Sequence, residues 1–197
     1  MSFKIKLLYK FTFFTLISAI TVSCVTETVE SPRMKFPETA VISVQDPNIF
    51  VTKGSTIAWL PEAVRFYKDE RLQNAPVKAL IEKEIVKNLI AKEMIYVDSV
   101  NGAKYAIAYT AALESSLDDS AIIRKFGLLP GNSQVPTGDD NIEKGTLIIY
   151  VFENKTSDIV WRSAAQVSVK FDMSEEERSA RVQRVLAEMF QTFTVVE

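Results

Sequence analysis

The chain contains no histidine and only one cysteine among its 197 residues. Without imidazole there is no Ser-His-Asp or Cys-His device, and the usual imidazole metal ligands are missing. A lone thiol, Cys24, closes no internal disulfide. The six glycines are scattered singly, so the Gly-rich phosphate loops of Walker or Rossmann type are absent. Long apolar runs are also missing. The longest early one, Phe11 to Val22, is 12 residues, against the roughly 20 that a spanning helix needs. What remains for catalysis is carboxylate, hydroxyl, lysine or tyrosine chemistry, and neither a cofactor nor a metal is expected.

The short apolar run has the shape of an export signal. Lys4, Lys6 and Lys10 precede it, no acidic residue occurs before Glu27, and small residues lead to a cleavage point. The run Ile20-Thr21-Val22-Ser23-Cys24 resembles the lipobox of bacterial lipoproteins, with Thr21 where that family most often has Leu. The resemblance implies cleavage between Ser23 and Cys24, a diacylglyceryl thioether on Cys24 and acylation of the new N-terminus. It gives the otherwise odd thiol a use. Several acyl chains together hold a protein on a membrane far more stably than one. In enteric lipoproteins an Asp directly after the acylated cysteine favours inner-membrane retention. Val25 stands there, so the expected address is the cell envelope, at the periplasmic face of the outer membrane.

Removal of Met1–Ser23 takes away three basic residues and no acidic ones, leaving 20 basic against 25 acidic residues, a net of −5. An acidic balance argues against nucleic acid as a partner. The expected partners are the membrane, through the lipid, and another envelope protein or cell-wall component. The expected organisation is a signal peptide over 1–23, a lipidated tether over 24–39 and one domain over 40–197. The tether carries charges and prolines without periodicity, although an added edge strand is also compatible with it.

Within the domain, Ala40–Val44 and Ser55–Leu60 read as strands. A turn at Asp46-Pro47-Asn48 separates them, and Pro61 stops the second. A charged linker, 62–73, leads to a helix that Asn74 can cap, with Pro76 in its first turn. Val77, Leu80, Ile81, Ile85 and Leu89 recur at helical spacing. Lys78, Glu82, Lys83, Glu84 and Lys87 take the opposite, solvated face of this helix, which ends near Glu93. After the Asn101-Gly102 turn, 104–114 alternates as a strand with one face of small residues: Ala106, Ala108, Thr110 and Ala112. Ser115–Gly145 is irregular apart from a short helix, Ser120–Phe126, that Gly127 stops; long connections of this kind are usually functional or mobile. Thr146–Glu153 and Ile159–Phe171 form a hairpin. Alternation along its second strand predicts a buried face with Trp161 and a wetter face with Arg162, Gln166, Ser168 and Lys170. Ser174 and Glu177 make a capping box for a last helix with the stripe Val182, Val185, Leu186, Met189 and Phe190. The fold expected is α+β, an antiparallel or mixed sheet with two amphipathic helices on one face.

Two segments carry a resemblance. Val44-Gln45-Asp46-Pro47-Asn48-Ile49-Phe50 with Thr56-Ile57-Ala58-Trp59-Leu60-Pro61, and Leu147–Glu153 with Ile159-Val160-Trp161-Arg162-Ser163-Ala164-Ala165, resemble the lipoprotein family known as domain of unknown function 4136. That family often has Gly where Ser163 stands, and a Phe-Pro that is missing after Phe193. The resemblance spans about Ala40 to Phe193 and implies an address and a fold, with no established activity.

The densest acidic cluster, Asp118, Asp119, Asp139, Asp140 and Glu143, is the candidate binding site, as an acid/base pair or a cation loop. As a calcium loop starting at Asp139 it fails twice, because Gly145 comes one place late and Tyr150 takes the twelfth position. Solvation of an exposed loop explains the cluster equally. Trp59 and Trp161 read as core residues, with a carbohydrate-stacking platform as the sharper alternative. The sequence therefore favours a non-enzymatic envelope binding or structural module. Its alternatives are a carboxylate hydrolase of cell-wall glycan and a carrier of a small apolar ligand. A carboxylate pair beside a cleft would favour the hydrolase; a dry pocket under the sheet would favour the carrier.

Overall fold

The computed structural model describes residues 39–61, 65–66, 75–115, 117–130 and 141–197. Met1–Ser23, Cys24, the tether up to residue 38, Asn74, Asp139 and Asp140 lie outside the described residues. In chain order the elements are β1 (Thr39–Gln45), β2 (Val51–Thr52), β3 (Thr56–Trp59), β4 (Arg65–Phe66), α1 (Ala75–Ala91) and β5 (Ile95–Tyr96). They continue with β6 (Tyr105–Leu113), α2 (Asp119–Phe126), β7 (Ile142–Glu153), β8 (Ile159–Lys170), α3 (Glu175–Phe190) and β9 (Val195–Val196). The main sheet has the order β1-β8-β7-β6-β3-β5, with β4 alongside β6 beyond the end of β3. Pairing is antiparallel from β1 to β6 and parallel from β6 through β3 to β5. The architecture is α+β on a mixed sheet, as the sequence implies.

Helices α1 and α3 lie together on one face of the sheet. Ile81, Ile85 and Leu89 of α1 and Val185, Leu186, Met189 and Phe190 of α3 bury against Tyr105, Ile107, Tyr109, Ile149 and Trp161. Trp161 sits at the centre, fully buried, with the Phe190 and Phe193 rings 5.1 and 5.2 Å away between centroids. Local signals hold these helices in place. Ser174 Oγ accepts from the Glu177 backbone N–H at 3.2 Å, and the Glu177 carboxylate accepts from the Ser174 N–H at 3.0 Å, closing the capping box. Asp118 caps α2, and Gly127, at φ +63°, ends it in the left-handed conformation that glycine adopts without a Cβ penalty.

Four expectations need correction. The face of β8 expected to be wetter is covered, with Gln166 1% and Ser168 5% exposed. Helix α2 lies on that second face, where Ile122 and Leu128 pack on Ile148 and Ala164. The sheet is thus sandwiched, and period-two polarity misreads a strand whose polar side chains are hydrogen-bonded inside. The alternation of β8 also breaks. A bulge sets both Val160 and Trp161 inward and leaves Ile159 41% exposed, because one extra residue shifts every later side chain by one face. Strand β7 begins at Ile142, so Glu143 and Gly145 belong to the sheet and not to an irregular connection. Finally, Glu84 is buried within α1, where its carboxylate accepts from Lys87 Nζ at 3.1 Å and its backbone carbonyl accepts from Asn88 Nδ2.

Candidate functional site

Strands β6 and β8 end, and β7, α1 and α3 begin, at the same end of the sheet. There a groove of about 540 Å³ lies between the helices and the strands, within the range of about 300–1,000 Å³ usual for small-molecule sites. Its floor is Leu113, Leu147, Val167 and Val169; Val77 and Ile81 of α1 form one wall, and Val182 and Val185 of α3 the other. Gly145 sits in the floor. A Cβ there would stand 2.5 Å from Val169 Cγ2, so the close approach at this point requires glycine.

The polar side of the groove is cationic. Arg178 and Arg181 stand three residues apart, on the same side of α3, and both line the groove. Both are oriented by Met173: Arg178 Nη2 donates to the Met173 carbonyl at 3.3 Å, and Arg181 Nη1 lies 3.8 Å from Met173 Sδ. Lys170 completes the group. Among the described residues the groove lining contains Asn141, Thr146 and Ser168 but no aspartate or glutamate. Glu177, one residue before Arg178, is held in the capping box, and the Ser174 backbone N–H it accepts keeps its carboxyl below the ordinary range, helped by the Lys170 charge.

Of the acidic residues singled out in the sequence, Asp118, Asp119 and Glu143 lie elsewhere, and Asp139 and Asp140 are outside the described residues. Asp118 accepts from the Ala121 N–H at 2.7 Å as the cap of α2. Asp119 bridges Lys144 at 2.7 Å and accepts from Gln166 Nε2 at 2.8 Å. Glu143 accepts from the Ser115 backbone N–H at 2.6 Å. The contacts of Asp119 and Glu143 join α2 and its leading loop to β7 and β8. Among the described residues no three carboxylates gather as a metal ion would require. Trp59 is half-buried with its ring edge-on to Tyr109 at 5.8 Å between centroids, and Trp161 is wholly enclosed.

Sequence reasoning missed the groove, although two signals were present. The apolar stripe of α3 runs back from Val185 through Val182 to Arg181 and Arg178 at the same three- and four-residue spacing. A glycine, Gly145, also stands inside a strand, where it marks close approach.

No curated protein matches the chain by sequence. Among solved structures, the PelC dodecamer from Paraburkholderia phytofirmans is similar at 10% identity, covering 81% of this chain and 99% of its own, with a TM-score of 0.45. A DUF4136 family protein from Bacteroides thetaiotaomicron is similar at 11% identity, covering 79% and 96%, with a TM-score of 0.47. A lipoprotein from Neisseria meningitidis is similar at 5% identity, covering 71% and 99%, with a TM-score of 0.38. The model of the domain of unknown function DUF4136 matches residues 42–193, and the chain belongs to that family.

Proposed function

We propose that this chain is a lipid-anchored envelope lipoprotein whose domain, residues 40–197, binds an apolar ligand without transforming it. In this reading Met1–Ser23 is an export signal, Cys24 bears the lipid, residues 24–39 are the tether and the domain faces the periplasm from the outer membrane. The observation that carries the binding role is the groove itself, apolar on floor and walls among the described residues. Burial of apolar surface is what such a cleft offers a ligand. A glycan hydrolase would need two carboxylates held across its cleft, and the described residues of this lining supply none. The groove moves the balance from a purely structural module toward a carrier.

Two measurements test the proposal. In cells, wild type should incorporate labelled palmitate, and a Cys24→Ala variant should lose the label and accumulate uncut; undiminished labelling of the variant would sink the anchoring half. With purified protein, the neutral dye N-phenyl-1-naphthylamine should brighten on binding, and Val182→Glu, which places a charge in the wall, should abolish the increase. Equal brightening in both would sink the binding half.

A further inference from the structure

We infer that β1 is the seam of a twofold dimer, in which the open edge of one copy pairs antiparallel with the same edge of a second copy and the main sheet runs on through both. The inference goes beyond the groove and does not rest on the binding reading. Three features of β1 support it.

The first is how the two edges of the sheet are built. An open edge strand invites pairing with another chain, and proteins blunt it with short length, charge, proline or a bulge. The edge at β5 is short, two residues long. The edge at β1 has none of these devices. Its seven residues, Thr39 to Gln45, include no charge and no proline, and they run in unbroken register with β8. Among the described residues β1 pairs with β8 alone. Ile42 and Val44 stand opposite Ala164 and Arg162, on the face that carries α2, and are 37% and 45% exposed.

The second is phase. In an antiparallel ladder alternate residues turn both backbone groups to the same neighbour. The Asp46 N–H donates to the Val160 carbonyl at 2.9 Å, in step with the β1–β8 register. Ala40, Ile42 and Val44 therefore bond to β8, while Thr39, Val41, Ser43 and Gln45 turn N–H and C=O to the open edge. A second β1, turned about a twofold axis at Ile42, offers the same residues in register: Thr39 meets the second copy's Gln45, and Val41 its Ser43. The pairing supplies up to about eight main-chain hydrogen bonds, near the roughly ten of an ordinary protein interface. The third is side-chain fit. The axis sets Ile42 against Ile42 and Ala40 against Val44, in the non-hydrogen-bonded pairs where side chains come closest. Both exposed apolar side chains are covered, and no charge within the strand meets a like charge. A different protein would have to bring a matching open edge, whereas a second copy presents the same surface about a twofold axis.

The test uses the full chain in membranes of cells that express it. Ile42→Cys should cross-link to itself on mild oxidation, because the two Cα atoms at the axis would be about 4.5 Å apart, inside disulfide range. Val44→Cys alone should give about tenfold less dimer, since its two copies would lie roughly 14 Å apart along the strands. Ala40→Cys and Val44→Cys, co-expressed, should cross-link again. Wild type, whose one cysteine is Cys24, is the blank. In mild detergent, wild type should sediment with twice the mass of one chain. Ile42→Lys, which sets like charges opposite each other, should sediment as a single chain and melt close to wild type, because position 42 is partly exposed. Equal cross-linking at positions 42 and 44 would show chance collision and overturn the seam. An Ile42→Lys chain that stays dimeric would put the contact on another surface and overturn it too. A single-chain mass for wild type overturns the dimer outright. In that case Ile42→Cys shielded from maleimide assigns the edge to the tether or to another protein, and a reactive thiol leaves the edge open.

Discussion

Lys144 Nζ lies 2.7 Å from Asp119 Oδ2, and this bridge fastens α2 to the second face of the sheet. The Lys144 side chain is 11% exposed and reaches Glu114 as well, at 3.0 Å, while Asp119 also takes the amide of the buried Gln166. Burial pulls the Lys144 ammonium downward, but the hydrogen bonds it donates to Asp119 and Glu114 outweigh this and hold the group above the ordinary lysine value. A raised lysine contributes stability that is whole below the unfolded value and disappears as pH rises through the folded one. The bridge is therefore intact at neutral pH, and its lysine gives it up in strong alkali. Asp119→Ala should cost about 1–2 kcal/mol at pH 7, since it removes one charged partner and one amide acceptor while Glu114 remains. Lys144→Met should cost less, because both carboxylates can turn to water. Urea denaturation that ranks the two variants the other way would show that the cation, and not the carboxylate, organises this face.

Local chemistry made much of the fold legible. Ser174 with Glu177, the stop at Gly127, and the turn at Asn101-Gly102 are short-range devices whose residue types state their own conformation. What was hidden is long-range. The alanines of β6 and Gln166 of β8 are consistent with either water or a covering layer, and only the return of α2 onto Ile148 and Ala164 decides. Val160 looks outward by count and is inward because of a bulge that no residue type announces. The groove is assembled from strand and helix segments far apart in sequence, so Arg178 reads as one more solvated charge until β7 and β8 are set beside α3. The described part of the acidic cluster shows the converse. Sequence proximity grouped Asp118, Asp119 and Glu143, while the structure gives each its own neighbour.

The centre of the main core should be the most sensitive point in the molecule. Trp161 is enclosed by Phe190 and Phe193, and its indole N–H donates to Thr192 Oγ1 at 3.3 Å. Trp161→Ala should cost about 3–5 kcal/mol, the range for a buried large aromatic. Chemical denaturation measures it directly; a loss below about 1 kcal/mol would place Trp161 among surface residues and reopen a stacking role.

Alkaline stability should be governed in part by Tyr109. Its phenol is driven far above the ordinary tyrosine value, first by burial and then by the charge and hydrogen bond of Glu82, whose carboxylate accepts from it at 3.3 Å. The raised value means that the folded state holds this proton more tightly than the unfolded chain. The stabilisation is complete below the unfolded value, about 10, and is lost as pH climbs toward the folded one. Tyr109→Phe should lose about 0.5–1.5 kcal/mol at pH 7, for the hydrogen bond. The same variant should lose less stability than wild type between pH 10 and pH 12 (about the alkaline limit for the measurement). Parallel curves for the two proteins over that span would show that Tyr109 ionises freely in the fold.

The floor of the groove offers a test that couples packing to the site. Gly145 faces Val169 so closely that a Cβ would stand 2.5 Å from Val169 Cγ2, far inside van der Waals contact. Valine is stiff about χ1, so it cannot swing aside at small cost. Gly145→Ala should therefore destabilise the domain by about 1–3 kcal/mol, the usual penalty of overpacking. Val169→Ala alone should lose the modest burial of two methyl groups on a half-buried side chain. Combined, the two changes should be less harmful than their sum, because the smaller residue at 169 makes the space that the new methyl needs. A coupling energy of at least 0.5 kcal/mol in the double-mutant cycle is expected, as for residues in direct contact. The cycle is read from urea midpoints with unchanged slopes, so that a change in compactness is not mistaken for one in stability. Strict additivity would mean that β7 shifts to relieve the contact. In that case the groove floor is compliant, and Gly145→Ala alone would leave dye binding intact.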